Sequence, residues 1–297
     1  MQAKQLIECV PNFSEGRDSL IIERILQSVI SEGDCEIWDY SSDIYHNRSV
    51  FTIAGSPDAL ENAALRFTQT ASEFIDMETH IGVHPCVGAV DVIPFIPLRN
   101  ASMGDCIALS ERTAKRIAAE LNLPVYLYAN SAVNPAHKRL ADIRRGGYSK
   151  LQTEIKNVPE RKPDFGPAEL TSAGAVSVGA RDFLIAFNVY LDTKDVKIAE
   201  NIAKKIRTSS GGFPFLQAIG LPVNGLAQVS MNLLNYRVTS LKTVFEAICC
   251  EADKFEIKPK YSELIGMLPK DALRDISPDE LLLHDFCESR ILENHFK

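Results

Sequence analysis

Short apolar runs alternate with amphipathic helical repeats along the first half of the chain, and this order constrains the fold more than any other feature. The apolar runs predict β-strands at residues 6–10, 36–40, 50–54, 90–96 and 124–128. Helical spacing of apolar residues predicts three helices: one from about Asp18 to just before Gly33, one from residue 57 to about residue 75, and one from residue 103 to residue 121. Such an alternation folds as a layered α/β sheet, here with its helices on one side.

The second half repeats this alternation in a simpler form. It predicts strands at residues 183–191, 216–219 and 227–233, a strand and turn at 262–269, helices at 196–206 and 240–255, and a peripheral helical tail after residue 278. Prolines and glycines concentrate between residues 158 and 179, which favours a boundary there. Residues 136–145, rich in Lys and Arg, are typical of a solvated basic helix. The sequence thus predicts two α/β subdomains, residues 1–178 and 179–297.

The charge and cysteine content narrow the class of protein. A formal net charge of -7 over 297 residues disfavours non-specific nucleic-acid binding, which requires a basic surface. The N-terminus leads straight into a short apolar run, and no apolar run reaches the roughly 20 residues that span a bilayer. The seven cysteines lack a Cys-x-x-Cys pair, so we expect a reduced cytoplasmic protein whose thiols lie mostly in the core.

A turn with two histidines precedes the predicted strand 90–96. The spacing of His80 and His84 is compatible with a metal pair on a helix, but Gly82 and Pro85 disfavour that helix, so no metal site is predicted. His84, held between a glycine turn and a proline, is a candidate general acid and base. His80 fits a hydrogen-bonded turn better, and Cys86 is a weaker candidate nucleophile.

Two further segments are candidates for ligand binding. Residues 41–48 connect two predicted strands, and the side chains of Asp39, Asp43, His46, Asn47 and Arg48 either line a pocket or decorate an exposed hairpin. Residues 171–180 carry small side chains throughout, which lets a backbone approach a ligand closely, although an interdomain linker is the alternative.

Together, these motifs resemble the glutamate formiminotransferase family. The matching stretches run along nearly the whole chain: VPNFSEG at residues 10–16, HNRSV at 46–50, HP at 84–85, GAVDVIPFIP at 88–97, PVYLY at 124–128, PDFGP at 163–167, GAR at 179–181, FLIAFN at 183–188 and LAQVS at 226–230.

The resemblance implies an α/β fold of two subdomains whose sheets face each other across a ligand tunnel, with helices on the outer surfaces. It implies transfer of a formimino group from N-formimino-L-glutamate to N5 of tetrahydrofolate, a step of histidine degradation. Tetrahydrofolate is then a co-substrate, and no metal is expected. The family further implies a cytoplasmic homodimer. In animal relatives a cyclodeaminase domain follows the transferase, and a separate cyclodeaminase is a possible partner of this chain.

Individual roles follow from the same resemblance. The catalytic histidine of the family falls on His84, and an aspartate of animal relatives is replaced by Ser41, so Asp39 or Asp43 is expected to supply the assisting carboxylate. Arg48 and Arg181 are expected to bind substrate carboxylates because their donors fit them. The remaining expected substrate-binding residues are Asn12, His46 and Asn47, and the expected folate-binding residues are Gly166, Pro167, Thr171, Ser172, Ala173 and Gly174.

Three other functions stay open at the level of sequence. Formyl transfer between 5-formyltetrahydrofolate and glutamate needs the same folate site and the same base. A non-catalytic folate-binding module would not require His84, and a metal-dependent hydrolase would require metal ligands.

Overall fold

A computed structural model describes residues 4–30, 35–83 and 85–296 of the chain. The chain divides into two compact units, Met1–Arg181 and Asp182–Lys297. Each unit has its own sheet and its own hydrophobic core. The α/β fold class predicted from the sequence is therefore confirmed, while the subdomain limits at residues 178 and 179 stay a prediction.

The first unit is built on a mixed sheet. Its strands are β1 (Leu6–Cys9), β2 (Asn12–Phe13), β3 (Cys35–Asp43), β4 (Arg48–Gly55), β5 (Val90–Arg99), β6 (Val125–Ala129) and β7 (Val176–Ala180). The strands β1 and β2 both lie between β4 and β5, β3 pairs with β4 at one edge, and β7 lies between β5 and β6. Strand β7 runs parallel to both of its neighbours, whereas the other pairings are antiparallel.

Strand β7 was not predicted, because its residues are small and all of them are buried. A strand that is covered on both faces shows no alternation of polar and apolar side chains. Residues 176–180 are thus part of the first sheet and not of a linker.

Three helices cover one face of this sheet: α1 (Ser19–Ile30), α2 (Pro57–Phe74) and α3 (Met103–Leu121). Each has a side-chain cap at its first turn. Asp18 Oδ1 accepts from the Leu20 amide at 2.9 Å, Ser56 caps α2, and Ser102 forms a capping box with Asp105 in α3. Their apolar faces form one core with the inward residues of the strands, as predicted.

The prediction of a solvated basic helix at residues 136–145 is wrong. The segment forms a 3₁₀ turn at Pro135–His137 and only a short helix α4 (Leu140–Ile143), followed by α5 (Gly147–Glu154). Arg139 has extended backbone, with φ of -106° and ψ of 120°, so the helix cannot begin before it. The Arg144 side chain is largely buried and forms an ion pair with Asp91, as described below.

The second unit is a four-stranded antiparallel sheet with two helices. Its elements are β8 (Ile185–Leu191), α6 (Val196–Ile206), β9 (Leu216–Val223), β10 (Leu226–Leu233), α7 (Leu241–Asp253) and β11 (Pro259–Ile265). The strands lie in the order β11, β8, β10, β9. Alternate residues of β8 and β10 pack against α6 and α7, and the residues between them face the other side.

The tail after residue 278 is not helical, and that prediction is wrong. It contains two 3₁₀ turns, Glu288–Arg290 and Leu292–His295. Leu282 has a φ of 56°, in the left-handed region, which interrupts any α-helix there. Leu281 and Ile291 are buried in the core of the second unit, so the tail completes that core and is not peripheral.

Cys9 and Cys106 are buried in the core of the first unit, and Cys35, Cys86 and Cys249 are partly buried against the cores of the two units. Cys250 and Cys287 are exposed, so the expectation that most thiols lie in the core holds for five of the seven cysteines. Among the described residues, no helix is both long enough and apolar enough to cross a membrane.

Candidate functional site

The polar segment 41–48 is a tight hairpin and not a loop. Strand β3 extends to Asp43, and β4 begins at Arg48, so only residues 44–47 make the turn. The segment therefore has the shape of the hairpin alternative. It is not an exposed hairpin throughout, because His46 and Asn47 are each only 7% exposed. Two polar side chains are therefore held inside the turn, where they need partners.

Asp43 and His46 form a carboxylate and imidazole pair. Asp43 Oδ2 lies 3.0 Å from His46 Nδ1, and Asp43 Oδ1 accepts hydrogen bonds from the backbone amides of Tyr45 and His46 at 2.7 Å each. Partial burial works to raise the pKa of the Asp43 carboxyl, but these hydrogen bonds outweigh it and lower the pKa to about 2. Asp43 is consequently an anion at neutral pH.

Asn47 ties the hairpin to two other segments. Its Oδ1 accepts from the Gly16 amide at 3.0 Å, in the loop after β2. Its Nδ2 lies 3.3 Å from His80 Nδ1 and donates to the Ile81 carbonyl at 3.2 Å. Burial lowers the pKa of His80. The interpretation of His80 as a hydrogen-bonded turn residue agrees with these contacts.

His84 lies outside the described residues, and its predicted role is not addressed by the structure. The residues after it are anchored to the loop that follows β2. Ser14 donates from Oγ to the Gly88 carbonyl at 2.7 Å, and the Ser14 amide donates to the Ala89 carbonyl at 2.9 Å. Within the described segments, no three or more His, Cys, Asp or Glu side chains group in a way that could hold a metal ion.

A buried ion pair supports the start of β5. Asp91, 2% exposed, accepts from the Val87 amide at 2.8 Å through Oδ1 and from Arg144 Nε at 2.7 Å through Oδ2. Each oxygen of the carboxylate thus has a partner. Sequence reasoning missed this pair, although one acidic residue inside the apolar run 89–93 is a signal that could have revealed it.

Arg48 lies near this pair and carries a positive charge. Burial, together with the charge of Arg144, lowers the pKa of Arg48 to about 10, and the charges of Asp91 and Asp43 oppose that shift. The guanidinium therefore stays protonated near neutral pH. Among the described residues, no carboxylate forms an ion pair with Arg48.

Cys86 is poorly suited to act as a nucleophile. Burial and the nearby Asp91 charge raise the pKa of its thiol to about 11, although a hydrogen bond with Ser14 works against the shift. The reactive thiolate is scarce at neutral pH when the pKa is this high.

The small-residue segment packs against the backbone that follows the histidine turn. The Ala173 carbonyl accepts from the Ala89 amide at 2.8 Å, and a Cβ added at Gly174, whose φ is 75°, would lie 2.2 Å from the Val87 carbonyl. Close backbone packing thus explains the small size of these residues. Thr171 and Ser172 are exposed beside it.

The other expected folate residues lie earlier in the segment. Gly166 has a φ of 82° and lies against the Leu123 carbonyl, and Pro167 is half-buried. The structure thus brings residues 172–174 against Met77 and residues 87–89, which lie on either side of the histidine turn in sequence, while Gly166 lies beside Leu123, which precedes β6.

Three expected site residues lie elsewhere on the first sheet. Asn12 is in β2, where its Nδ2 donates to the Val10 carbonyl at 3.0 Å, and Asp39 is half-buried in β3 opposite Thr52. Arg181 directly follows β7, and its amide donates to the Phe95 carbonyl at 3.1 Å. Burial raises the pKa of Tyr128, and the charge of Arg181 and a hydrogen bond with its side chain oppose that shift.

Glu8 is a further buried acid that the sequence analysis missed. It is 2% exposed in β1, and its Oε2 accepts no hydrogen bond from any described residue. Burial raises its pKa to about 7, and the Arg181 charge opposes the shift. One glutamate inside the apolar run 6–10 is the signal that could have identified it.

Comparisons with known proteins match both units. Residues 6–181 match the formiminotransferase domain, N-terminal subdomain, and residues 186–278 match the formiminotransferase domain. An α/β fold of two units in which both units match a transferase domain defines the class of protein as a group-transfer enzyme. The chain belongs to the formiminotransferase family, which confirms the resemblance seen in the sequence.

Curated relatives agree with this assignment. The chain is 42% identical over 292 residues to a glutamate formimidoyltransferase of Thermoplasma acidophilum, with 97% of this chain and 96% of the relative covered. It is 40% identical over 295 residues to a glutamate formimidoyltransferase of Streptococcus pyogenes, with 98% of each chain covered. A formimidoyltransferase-cyclodeaminase of Mus musculus is 42% identical over 279 residues, which is 91% of this chain but 51% of that protein.

Proposed function

We propose that this protein is a glutamate formimidoyltransferase that moves the formimino group of N-formimino-L-glutamate to N5 of tetrahydrofolate in histidine degradation. One observation carries the proposal: two relatives with this name match the chain at 40% and 42% identity over 98% and 97% of its length. The names of these relatives do not favour the formyl-transfer alternative.

The reaction needs one group that moves a proton. The N5 nitrogen of the folate attacks the amidine carbon, and a tetrahedral intermediate forms. The N5 proton must leave, and the nitrogen of the departing glutamate must gain a proton. We assign both transfers to His84, so that N5-formiminotetrahydrofolate and glutamate are released with no net change in protons on the histidine.

Anionic side chains stabilise the cationic amidinium in this proposal. Asp43 is suited to this role because its pKa of about 2 keeps it charged. Its oxygens already accept hydrogen bonds from Tyr45 and His46, so it acts through its negative charge and orients His46 in the same hairpin. Asp39, on the same strand, is the candidate for direct contact with the amidinium.

Cationic side chains hold the substrate carboxylates. Arg48 is protonated, and among the described residues it has no carboxylate partner of its own, so it is suited to accept one from the ligand. We propose that Arg181 binds a second substrate carboxylate and that Asn12 makes a supporting contact with the substrate. Tetrahydrofolate is a co-substrate, and we assign its binding to residues 166–174, of which Thr171 and Ser172 expose polar side chains.

The assembly and location of the protein are proposed on family grounds. We expect a cytoplasmic homodimer, which sedimentation of the purified chain would test. The chain spans about half the length of the formimidoyltransferase-cyclodeaminase of Mus musculus, and we propose that a cyclodeaminase uses the product of this protein.

The central test is release of glutamate from N-formimino-L-glutamate, measured with and without tetrahydrofolate. Release that depends on the folate is the expected result. The parallel assay with 5-formyltetrahydrofolate and glutamate tests formyl transfer, and activity in that assay alone would overturn the proposal.

Variants test the assigned residues in the same assay. His84→Ala is expected to lower kcat roughly 100- to 10,000-fold, the usual contribution of a general acid and base. His284→Ala, an exposed histidine of the second unit, is the matched control. Arg48→Ala is expected to raise KM for formiminoglutamate roughly tenfold or more, with exposed Arg99→Ala as its control. Unchanged kinetics in His84→Ala would remove the assigned base.

A further inference from the structure

A pocket in the second unit lies beside the start of helix α7. Its volume is about 230 Å³, and all of its lining residues belong to that unit. They come from the segment between β10 and α7, from the first turn of α7, and from residues 271–276, which include most of a 3₁₀ turn. None of the roles proposed above involves these residues.

Three cationic side chains line this pocket: Arg237, Lys242 and Arg274. The Arg237 guanidinium lies over the ring of Tyr236, with its carbon 4.7 Å from the ring centroid, so the ring face helps to hold it there. Lys242 is exposed and forms no ion pair with any described residue. At least one of the positive charges is therefore not neutralised within the chain.

Two carboxylates line the same pocket. Asp271 accepts a hydrogen bond from Arg274 and lies 3.8 Å from Arg237 Nε, which is beyond hydrogen-bond distance. Each guanidinium has five N–H groups, so one shared carboxylate leaves donors on both arginines for a ligand. Asp275 is exposed and forms no ion pair with any described residue. Three cations against two carboxylates leave one net positive charge, so the pocket favours an anion.

The hydroxyl of Tyr236 needs a partner that the chain does not supply. The side chain lines the pocket and is only 5% exposed, and its hydroxyl has no hydrogen-bond partner among the described residues. Burial raises the pKa of Tyr236, and the charges of Arg237 and Asp271 also act on it, so the hydroxyl lies near the charged groups of the pocket. Buried hydroxyls almost always have a partner, and a ligand in the pocket provides one.

Helix α7 adds backbone donors to the pocket. It has 13 residues, and the first amides of a helix have no carbonyl partner within the helix. Ser240 Oγ accepts from the Thr243 amide at 3.1 Å and so occupies one of these donors. Ser240 and Lys242 both line the pocket, so the positive end of the helix dipole lies beside it.

This set of donors suits a phosphate group better than a carboxylate. A carboxylate has two oxygens in one plane, whereas a phosphate monoester has three acceptor oxygens that point apart and a charge of about -1.5 to -2 at pH 7. The donors here come from separate segments of the chain and not from one edge of the pocket. The volume lies below the roughly 300–1,000 Å³ of sites for drug-sized ligands, so the ligand is small.

We propose that this pocket binds a phosphate group, either of a small phosphate monoester or as inorganic phosphate. Lys242, Arg274 and the first amides of α7 donate to the phosphate oxygens, and the Tyr236 hydroxyl donates to the same group. Asp275 accepts from the hydroxyl groups of an organic ester. The site lies within the second unit and does not depend on the proposed transferase activity.

Calorimetric titration of the full-length chain tests the site with two ligands, ribose 5-phosphate and inorganic phosphate. We expect one saturable site per chain with a Kd of ~1 mM or less. Tighter binding of ribose 5-phosphate would identify an ester as the ligand, and equal binding would identify phosphate itself. Acetate, which offers a carboxylate alone, should bind at least roughly tenfold more weakly.

Two variants locate the binding in this pocket. Lys242→Met removes one charge, and Tyr236→Phe removes only the hydroxyl, so each should raise the Kd for phosphate roughly tenfold, as for one hydrogen bond to a charged group. Lys197→Met makes the first change at the second residue of α6, the position that Lys242 has in α7, and Tyr261→Phe makes the second change in β11. Both control positions lie outside the pocket, so their Kd should equal that of the wild-type chain.

Melting temperatures show whether the variants are folded. Tyr236→Phe removes an unmatched buried hydroxyl, so its Tm without ligand should not fall, and phosphate should raise the Tm of the wild-type chain more than that of either pocket variant. If Lys242→Met or Tyr236→Phe does not fold, Arg274→Met carries the same expectation. The proposal is overturned if neither phosphate compound binds at ~10 mM, if a folded pocket variant binds as tightly as its control, or if acetate binds as tightly as phosphate. None of these outcomes depends on the release of glutamate from formiminoglutamate.

Discussion

Glu8 and Asp91 lie on neighbouring strands of the first sheet, and each is 2% exposed, yet their carboxyl groups are in opposite situations. Asp91 accepts from the Val87 amide and from Arg144. Glu8 Oε2 accepts from no described residue, and burial raises the Glu8 pKa to about 7. The surrounding sheet and the degree of burial are the same.

The two acids are equally buried and differ in the partners of their carboxyl oxygens, and burial raises the pKa of Glu8, whose Oε2 accepts from no described residue. A paired carboxylate contributes to the structure of the turn that it holds. An acid without partners is tolerated because it can take up a proton. Three measurements on the first unit test this comparison, and Trp38 in β3, the one tryptophan of the chain, reports on that unit by fluorescence.

The largest effect is expected from Asp91→Ala. The change leaves Arg144 without its partner and the Val87 amide without its acceptor. Removing one partner of a buried ion pair typically costs about 3–5 kcal/mol of the free energy of unfolding. Urea unfolding at pH 7, followed by Trp38 fluorescence, measures the loss.

The exposed pair Lys156 and Glu169 provides the matched control. Its side chains are 57% and 68% exposed at a separation of 2.7 Å, so Glu169→Ala should cost less than about 1 kcal/mol. Equal losses in Asp91→Ala and Glu169→Ala would show that burial of the pair has no energetic weight.

Glu8→Gln is expected to change the pH dependence of stability. In the wild-type chain, the folded state keeps the Glu8 proton up to a pH of about 7, whereas the unfolded state loses it near 4.5. Stability from this group is therefore full below 4.5 and falls as pH rises to about 7. The loss amounts to about 3 kcal/mol at 1.36 kcal/mol for each pKa unit.

In urea titrations, the free energy of unfolding of Glu8→Gln should not fall between pH 5 and pH 8. The control variant Glu23→Gln, changed at an exposed position of α1, should show the same fall as the wild-type chain. A wild-type chain whose stability does not fall between these pH values would mean that Glu8 is ionised, and the contrast with Asp91 would disappear.

Asp43→Asn should change stability less than Glu8→Gln does, and with the opposite dependence on pH. The lowered pKa of Asp43 stabilises the fold above its ordinary value of 3.8, and this stability is lost as pH falls towards about 2. We expect the variant to be about 1–2 kcal/mol less stable at pH 7, from a shift of nearly two pKa units in a partly exposed group. The difference should shrink between pH 4 and pH 3, and a constant difference would contradict the assigned cause.

The elements with strong local signals were predictable from sequence. The predicted limits of α3 and α6, residues 103–121 and 196–206, agree with the structure, because helical spacing and capping residues coincide there. β7 and the tail were missed because their structure depends on contacts with distant parts of the chain. No local pattern of residues 176–180 shows that β5 and β6 lie on either side.

The candidate site shows the same limit. Polar side chains in the hairpin and the histidine turn were identified as candidates, but their pairing was not. Asn47 joins segments that are more than thirty residues apart in sequence, at Gly16 and at His80. The partner of Asp91 was expected on a solvated helix, because a basic residue looks the same in sequence whether it faces water or a buried acid.

The position of β7 has a consequence for how the chain folds during synthesis. Each residue of β6 pairs with a residue of β7 that follows 51 positions later in the chain, as Val125 does with Val176, and β5 must leave its own edge open for the same strand. Until the ribosome has released residue 180, β6 has no strand to join it to the sheet. Parallel pairing over such a separation is slow to form. The first unit therefore completes its sheet last at an interior position, where β7 inserts between β5 and β6, which are both synthesised earlier.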